Sequence, residues 1–202
     1  MTELIRDLID TSWQAVEQRC EIIGGRRVTR PGFEALTQSR HESRFADDLA
    51  VLAHLDAALD LARDYELGHL AAGLSGVRDR IRWSQNPRYD ETTVSRELLD
   101  GYAYAGLSGP DSPIRCDVPL CGYLIMGPGI TYPDHRHAPP EIYLVMTPGS
   151  QWCLDSGEWF DVAPGDLIFH DSWQKHATRT SHQPLLAFVA WLERGDRTRI
   201  DI

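Results

Sequence analysis

Turn-forming residues recur at short intervals along the second half of this 202-residue chain, and this feature constrains its fold more than any other. From Gly109-Pro110 to Pro184, proline or glycine interrupts the sequence at intervals of roughly 8–12 residues, a spacing typical of short strands joined by turns. The runs between these interruptions are short and apolar, as in Ile142–Met146 and Leu185–Trp191. We therefore predict a β-barrel or β-sandwich over residues 96–202.

The first part of the chain has a helical pattern instead. Apolar residues at helical spacing predict helices over residues 2–21, 43–65 and 67–82, and Asn86-Pro87 then ends helical structure. We predict that residues 1–95 form an N-terminal helical extension packed on the β domain, so the fold class is α+β and mainly β. The apolar stripes suit either a cover over the barrel or a dimer interface, and we expect a monomer or a homodimer. In the first helix the apolar side chains are Leu4, Ile5, Leu8, Ile9, Trp13 and Val16.

Composition excludes several classes of partner. The formal charge is -10, with 30 acidic residues against 20 basic ones, which argues against a nucleic-acid partner. The N-terminus lacks the basic and apolar regions of a signal peptide, and no apolar run approaches the roughly 18 residues that span a bilayer. The cysteines form no CxxC pair, so we expect reduced, buried thiols in a cytoplasmic protein that does not contact a membrane. These cysteines are Cys20, Cys116, Cys121 and Cys153.

One short segment concentrates metal-binding side chains. His135 and His137 are followed by Glu141, and His176 comes about one hairpin later. Alternate residues of a strand point to the same side, so His135 and His137 share a face, and Glu141 has the same parity as Tyr143. Imidazole and carboxylate ligands suit Zn, Fe, Mn, Co or Ni, and the sequence does not choose among these metals. The pattern predicts one transition-metal site inside the barrel.

The segment resembles the first motif of the cupin superfamily, G-x5-H-x-H-x3,4-E-x6-G. Gly129, His135, His137 and Glu141 match this motif, and the closing Gly149 comes one residue late. The second cupin motif is represented mainly by its ligand, His176. Other residues replace the usual Pro, Gly and Asn of that motif, namely Asp171, Trp173 and Thr180. The resemblance implies a small double-stranded β-helix, or jelly-roll, barrel with a metal in its mouth.

Two tyrosines, Tyr132 and Tyr143, flank the motif and carry a narrower resemblance. Over nearly its whole length the chain resembles the cupin-type dimethylsulfoniopropionate (DMSP) lyases of marine bacteria, DddQ type. The resemblance implies a carbon–sulfur lyase that converts DMSP to dimethyl sulfide and acrylate, with one tyrosine as general base. It also implies a ligand set, with His135 as a further ligand or an immediate neighbour. The other ligands in that set are His137, Glu141, His176 and Tyr143.

The chemistry of DMSP suggests roles for the aromatic residues. A phenol beside a metal ion ionises more easily, because the positive charge favours the phenolate. We expect Tyr143 to be the base, with Tyr132 as the alternative base or a substrate contact. The sulfonium group calls for an aromatic wall that attracts a cation. Trp191 is the first candidate for that wall, followed by Trp173, and then by Trp152 and Tyr123.

Two other functions remain open at this stage. The first is another cupin metalloenzyme, either a non-haem iron dioxygenase or an isomerase, which would not need the two tyrosines. The second is a non-catalytic cupin that binds a small ligand. His170 and His182 do not fit the ligand pattern; a place beside the metal site is only an alternative for His170, and His182 is assigned to the surface. His41, His54 and His69 are assigned to helices.

Overall fold

The computed structural model describes residues 2–23, 28–32, 44–45, 48–195 and 200–202. Its helices all lie in the first half of the chain. The first three α-helices correspond to predicted helical stretches, whereas α4 begins the region predicted as β-barrel and was not expected. Short 3-10 helices at Ala50–His54 and Arg78–Arg80 adjoin the second and third α-helices. The α-helices are α1 (Thr2–Ile23), α2 (Leu55–Arg63), α3 (Gly68–Val77) and α4 (Arg96–Gly101). None of the described helices is both long enough and apolar enough to cross a membrane.

The strands form two antiparallel sheets. The large sheet has the order β1-β2-β3-β4-β11-β6-β9, and the small sheet has the order β5-β10-β7-β8. The strands are β1 (Arg44–Phe45), β2 (Trp83–Gln85), β3 (Tyr102–Ser108), β4 (Leu120–Met126), β5 (Thr131–His135), β6 (Glu141–Val145), β7 (Ser150–Leu154), β8 (Trp159–Val162), β9 (Leu167–His170), β10 (His176–Thr180) and β11 (Leu185–Trp191).

The large sheet is buried on both faces, and this explains its nearly continuous apolar strands. On β6, Ile142 and Leu144 belong to the core shared with the helices, whereas Tyr143 and Val145 belong to the core between the sheets. The same alternation places Phe188 of β11 against Trp13 of α1, with ring centroids 5.9 Å apart. The helical extension therefore covers the outer face of the large sheet, and the inner face is left to line the barrel.

The prediction for residues 43–65 is wrong at its N-terminal end. Arg44–Phe45 is a short strand, in which Arg44 pairs with Gln85 and Phe45 with Ser84. Helical structure begins only at Ala50. One edge of β2 pairs with β3, and Arg44–Phe45 pairs with its other edge, where the backbone N–H and C=O groups need hydrogen-bond partners. This tertiary contact overrides the local helical pattern. Leu4 is also exposed, so the buried stripe of α1 begins at Ile5.

The strands expected from the turn pattern are confirmed at β4, β6, β7, β9 and β11. A division of the chain near residue 95 stays a prediction, since β1 and β2 precede that point and still join the large sheet. His54 and His69 lie on or beside helices and are exposed, as is His182. His41 and the Gly24-Gly25 pair that was expected to end the first helix lie outside the described residues.

Candidate metal centre

A small cavity lies between the two sheets, at the end of the barrel where β5 and β6 meet. Its volume is about 100 Å³, which suits only a small molecule. Both sheets, the stretch after β2 and the C-terminal Ile200 contribute to its wall. The lining residues are Ser84, Gln85, Asn86, Pro87, Tyr102, Tyr104, Leu120, Leu124, Tyr132, His135, His137, Glu141, Tyr143, Val189, Trp191 and Ile200.

Glu141, the first residue of β6, is clamped by the strands on either side. It pairs in register with His170 of β9 and with Trp191 of β11. The Trp191 indole N–H donates to Oε1 at 2.8 Å, and Nδ1 of His170 lies 3.1 Å from Oε2. The carboxylate is almost completely buried, so these contacts replace the hydration that it loses.

Three histidines each have Nδ1 held by a backbone carbonyl. Nδ1 of His135 lies 2.8 Å from the oxygen of Pro133, and Nδ1 of His137 lies 2.9 Å from that of Pro139. Nδ1 of His176 lies 2.9 Å from the oxygen of Gln174. A carbonyl can only accept, so each Nδ1 donates, and Nε2 is left as the nitrogen that can bind a metal. This is the arrangement in which outer hydrogen bonds prepare imidazoles to bind a metal.

A metal ion fits the cluster formed by His137, Glu141 and His176. One ligand atom from each of these three buried residues can be chosen so that all lie within 4.8 Å of one another. Nε2 of His137 lies 3.2 Å from Oε2 of Glu141. Nε2 of His176 lies 3.5 Å from the same oxygen and has no hydrogen-bond partner among the described residues. A metal ion between these atoms would bind all three residues at once, and imidazole with carboxylate is a donor set for a transition metal.

His135 stands beside this set rather than in it. Its ring centroid is 4.1 Å from that of His176 and 6.3 Å from that of His137. Burial, followed by the neighbouring His176, lowers the pKa of His135 well below its ordinary value, so the ring is neutral.

The acid–base properties of Glu141 and His137 are coupled. Burial alone would raise the pKa of Glu141, but the neighbouring His137 and the hydrogen bonds from His137 and His170 lower it well below its usual range. For His137, burial acts to lower the pKa, but the charge of Glu141 prevails and raises it. In the absence of a metal, a proton on His137 therefore neutralises the carboxylate.

The two predicted tyrosines both line the cavity, in different surroundings. Burial, and after it the charge of Glu141, raises the pKa of Tyr143 well above its ordinary value. The Tyr132 hydroxyl donates to that of Tyr89 at 2.9 Å. Burial and the neighbouring Tyr89 and Tyr102 likewise raise the pKa of Tyr132. Without a nearby positive charge, both phenols are neutral at physiological pH.

The aromatic residues proposed for the sulfonium wall lie in different parts of the structure. Trp191 lines the cavity, and its ring lies 4.8 Å from that of His137. Trp173 lies outside the cavity lining, with 43% of its surface exposed. Trp152 packs behind Tyr143 with ring centroids 5.6 Å apart. Tyr123 lies in the core beneath the helices, where its hydroxyl is 2.8 Å from that of Ser12.

Sequence reasoning missed part of the cavity wall. The missed residues come from β2 and the stretch after it, from β3, β4 and β11, and from the C-terminal end. Two of them, Tyr102 and Tyr104, have the parity of one strand face, and that alternation is the only local signal that could have found them. The others are Ser84, Gln85, Asn86, Pro87, Leu120, Leu124, Val189 and Ile200.

The C-terminal residues close one side of the cavity. Asp201 pairs with Arg136 through two backbone hydrogen bonds of 3.0 Å each. The carboxylate of Asp201 also lies 3.7 Å from Nε of Arg136. Arg136 stands between His135 and His137, so this short bridge braces the segment that carries both histidines. It also holds Ile200 against the cavity.

Comparison with known sequences identifies a family. A family model described as dimethylsulfoniopropionate lyase matches residues 25–187. A protein of Ruegeria pomeroyi named dimethylsulfoniopropionate lyase DddQ is 33% identical over 109 residues, which cover 54% of this chain and 53% of that protein. A protein of Cereibacter sphaeroides provisionally named dimethylsulfoniopropionate lyase DddL is 30% identical over 148 residues, covering 73% of this chain and 61% of that protein. The matched regions thus span a little more than half the length of these curated relatives.

Comparison with solved structures supports the fold. The crystal structure of the DMSP lyase DddQ from Ruegeria pomeroyi aligns with a TM-score of 0.72 over 99% of this chain and 96% of that chain, at 22% identity. A structure described as the DMSP lyases RdDddP and RnDddQII aligns with the same TM-score and identity, over 99% and 97% of the two chains. The predicted cupin barrel with an N-terminal helical region is confirmed.

Proposed function

This chain belongs to the dimethylsulfoniopropionate (DMSP) lyase family, and on that premise we propose that it cleaves DMSP by metal-dependent β-elimination. The products are dimethyl sulfide and acrylate. The observation that carries the proposal is one small cavity lined by His137 and Glu141 together with the phenols of Tyr132 and Tyr143. His176 joins His137 and Glu141 in a buried cluster that could hold a metal. A Lewis-acid site and a base are the two components that this elimination requires.

The difficult step is the removal of a weakly acidic proton from the carbon beside the substrate carboxylate. A transition metal bound at His137, Glu141 and His176 would act as a Lewis acid on that carboxylate and would lower the pKa of a neighbouring phenol. The phenolate of Tyr143 takes the proton, and the electron pair of the C–H bond forms the new C=C bond. The C–S bond breaks, and its electron pair leaves with sulfur as neutral dimethyl sulfide.

Tyr143 is better suited than Tyr132 to be the base. It follows Glu141 by two residues on β6, so both side chains point to the inner face of the sheet. The hydroxyl proton of Tyr132 is already engaged with Tyr89. Burial raises the pKa of Tyr89 to about 12, so Tyr89 is itself protonated at neutral pH. It can therefore accept a hydrogen bond from Tyr132 but cannot remove its proton. We assign Tyr132 to the wall that holds the substrate.

Other features of the proposal concern the wall and the setting of the site. Trp191 is the first tryptophan proposed to attract the sulfonium group through its ring face, and Trp173, which lies outside the cavity lining, is the second. His135 is a further ligand or supports His176. The metal is one divalent or trivalent ion among Zn, Fe, Mn, Co and Ni.

We propose a cytoplasmic location, since all four cysteines are buried free thiols. We also propose that the protein is a monomer or a homodimer. Residues 1–95 would form the extension that covers the large sheet.

The proposal is tested by headspace analysis of dimethyl sulfide. Purified protein is stripped with a chelator, reloaded separately with each of the five metals, and incubated with DMSP with and without oxygen. We expect dimethyl sulfide and acrylate in equal amounts, only in metal-loaded samples and independently of oxygen. Folded, metal-loaded protein that releases no dimethyl sulfide would refute the proposal, and turnover that needs oxygen would indicate a dioxygenase instead.

A further inference from the structure

We propose that His170 is a positioning residue that holds Glu141 and His176 in the orientation that a metal ion requires. The proposal rests on the metal site of the proposed function, but not on the identity of the substrate. His170 is the last residue of β9, pairs with Glu141 across the sheet, and has no exposed surface. A histidine enclosed at this point of the barrel can act on the site only through its immediate neighbours.

His170 contacts two members of the metal cluster in different ways. Its Nδ1 lies 3.1 Å from Oε2 of Glu141, the oxygen that also faces His137 and His176. Since a carboxylate accepts, Nδ1 donates. Its ring also stacks on that of His176, with centroids 3.6 Å apart and planes inclined by 21°. One side chain therefore orients the carboxylate by a hydrogen bond and restricts the rotation of the imidazole by contact.

The two sides of the Glu141 carboxylate are held independently. Trp191 donates to Oε1, and His170 donates to Oε2. Fixing both oxygens removes the rotation of the carboxylate about its last bond, so a metal ion would meet a ligand that is already oriented. Residues that orient ligands in this way typically change metal affinity by about 10–100-fold when they are removed.

A purely packing role for His170 makes a different prediction. Phenylalanine fills a similar volume and preserves the stacked ring, so a packing residue would tolerate His170→Phe. The hydrogen bond to Glu141 would be lost in that variant. Asparagine places an amide N–H near the position of Nδ1, whereas glutamine reaches toward the position of Nε2. Nε2 has no hydrogen-bond partner among the described residues, so the Nδ1 position is the one that matters.

The experiment measures metal binding and needs no turnover. Zn²⁺ affinity is determined by competition with a chromophoric chelator, and the ligand field is followed by the visible absorption of the Co²⁺-loaded protein. The variants are His170→Phe, His170→Asn and His170→Gln, with the exposed His182→Asn as the matched control. We expect His170→Phe to weaken Zn²⁺ binding by about 10–100-fold and to alter the Co²⁺ spectrum. His170→Asn should retain more affinity than His170→Gln, and His182→Asn should match the wild type.

Two results would overturn the proposal directly. Wild-type affinity and an unchanged Co²⁺ spectrum in His170→Phe would overturn it, and so would wild-type protein that binds no metal. If His170→Phe does not fold, the comparison between Asn and Gln decides, and equal affinities would overturn the proposal. Wild-type protein that binds metal as expected but releases no dimethyl sulfide would contradict the proposed function and leave the role of His170 supported.

Discussion

At the scale of single residues, the decisive property of the site is the protonation of buried groups. The phenol of Tyr143 is enclosed next to a carboxylate, and both burial and that negative charge oppose ionisation. The metal-free cavity therefore contains no tyrosinate to act as a base. A cation held by His137, Glu141 and His176 would reverse the local charge, which couples the base to metal binding.

Replacing the proposed base tests this coupling directly. We expect Tyr143→Phe to lower kcat for DMSP by at least about 100-fold, the typical contribution of a general base, while the protein stays folded. Dimethyl sulfide release gives the rate, and metal analysis of the same sample shows whether Tyr143 is also a ligand. The exposed Tyr65→Phe is the control. Full activity in Tyr143→Phe would remove this residue from the mechanism and would favour Tyr132.

Trp191 has two roles that one substitution separates. Trp191→Phe keeps an aromatic face toward the cavity but loses the N–H that donates to Glu141. A hydrogen bond to a charged group contributes about 1.5–3 kcal/mol, so we expect metal affinity to fall by at least about 10-fold. KM for DMSP, measured with saturating metal, should change less. A large rise in KM with unchanged metal affinity would show that the indole ring face is the important part. Trp159→Phe, at a partly exposed position outside the cavity lining, is the control.

At the scale of elements, the large sheet has to accommodate two packed faces at once. Its strands β4, β6 and β11 place one set of side chains under the helices and the alternate set in the barrel. Gly122 of β4 pairs with Gly106 of β3, and the Tyr104 side chain passes over both glycines. A Cβ at position 122 would overlap the Ala105 oxygen and would lie 2.9 Å from the Tyr104 hydroxyl.

This close approach makes Gly122 sensitive to a single methyl group. We expect Gly122→Ala to lower the free energy of unfolding by about 1–3 kcal/mol, because the backbone of β3 cannot move aside without strain. Gly76→Ala in α3 is the matched control. A Cβ there meets nothing within 4 Å, and the helix should gain about 0.5–1 kcal/mol. Chemical denaturation measures both changes, and an unaltered unfolding free energy in Gly122→Ala would contradict the account.

At the scale of the whole molecule, the site depends on segments from both ends of the chain. The α1 helix covers the outer face of the sheet whose inner face holds Glu141. The final residues close the cavity through Ile200 and brace Arg136 through Asp201. Residues 200–202 lie beyond the region matched by the family model, which ends at residue 187. The pairing of Asp201 with Arg136 therefore involves a residue outside the region matched by the family model.

Shortening the chain tests the closing role of these residues. We expect removal of residues 200–202 to speed the loss of bound metal to a chelator and to raise KM for DMSP, because the cavity wall opens and Arg136 loses its partner. Removal of Ile202 alone should have no effect, since half of its surface is exposed. Rates of chelator-induced metal loss in the two shortened proteins make the comparison. Equal rates would show that the bridge between Asp201 and Arg136 is not needed.

The sequence by itself determined the local features of this protein. Helical and strand periods are local, so most elements were predicted, and His135, His137 and Glu141 are close enough along the chain to be recognised as one motif. Only the tertiary structure decided which distant residues meet them. His170 and Trp191 reach Glu141 across 29 and 50 residues through strand register, and Arg44–Phe45 becomes a strand because an edge is available. Periodicity shows which residues share a face but not which strands lie side by side, because pairing is decided by the packing of the whole barrel.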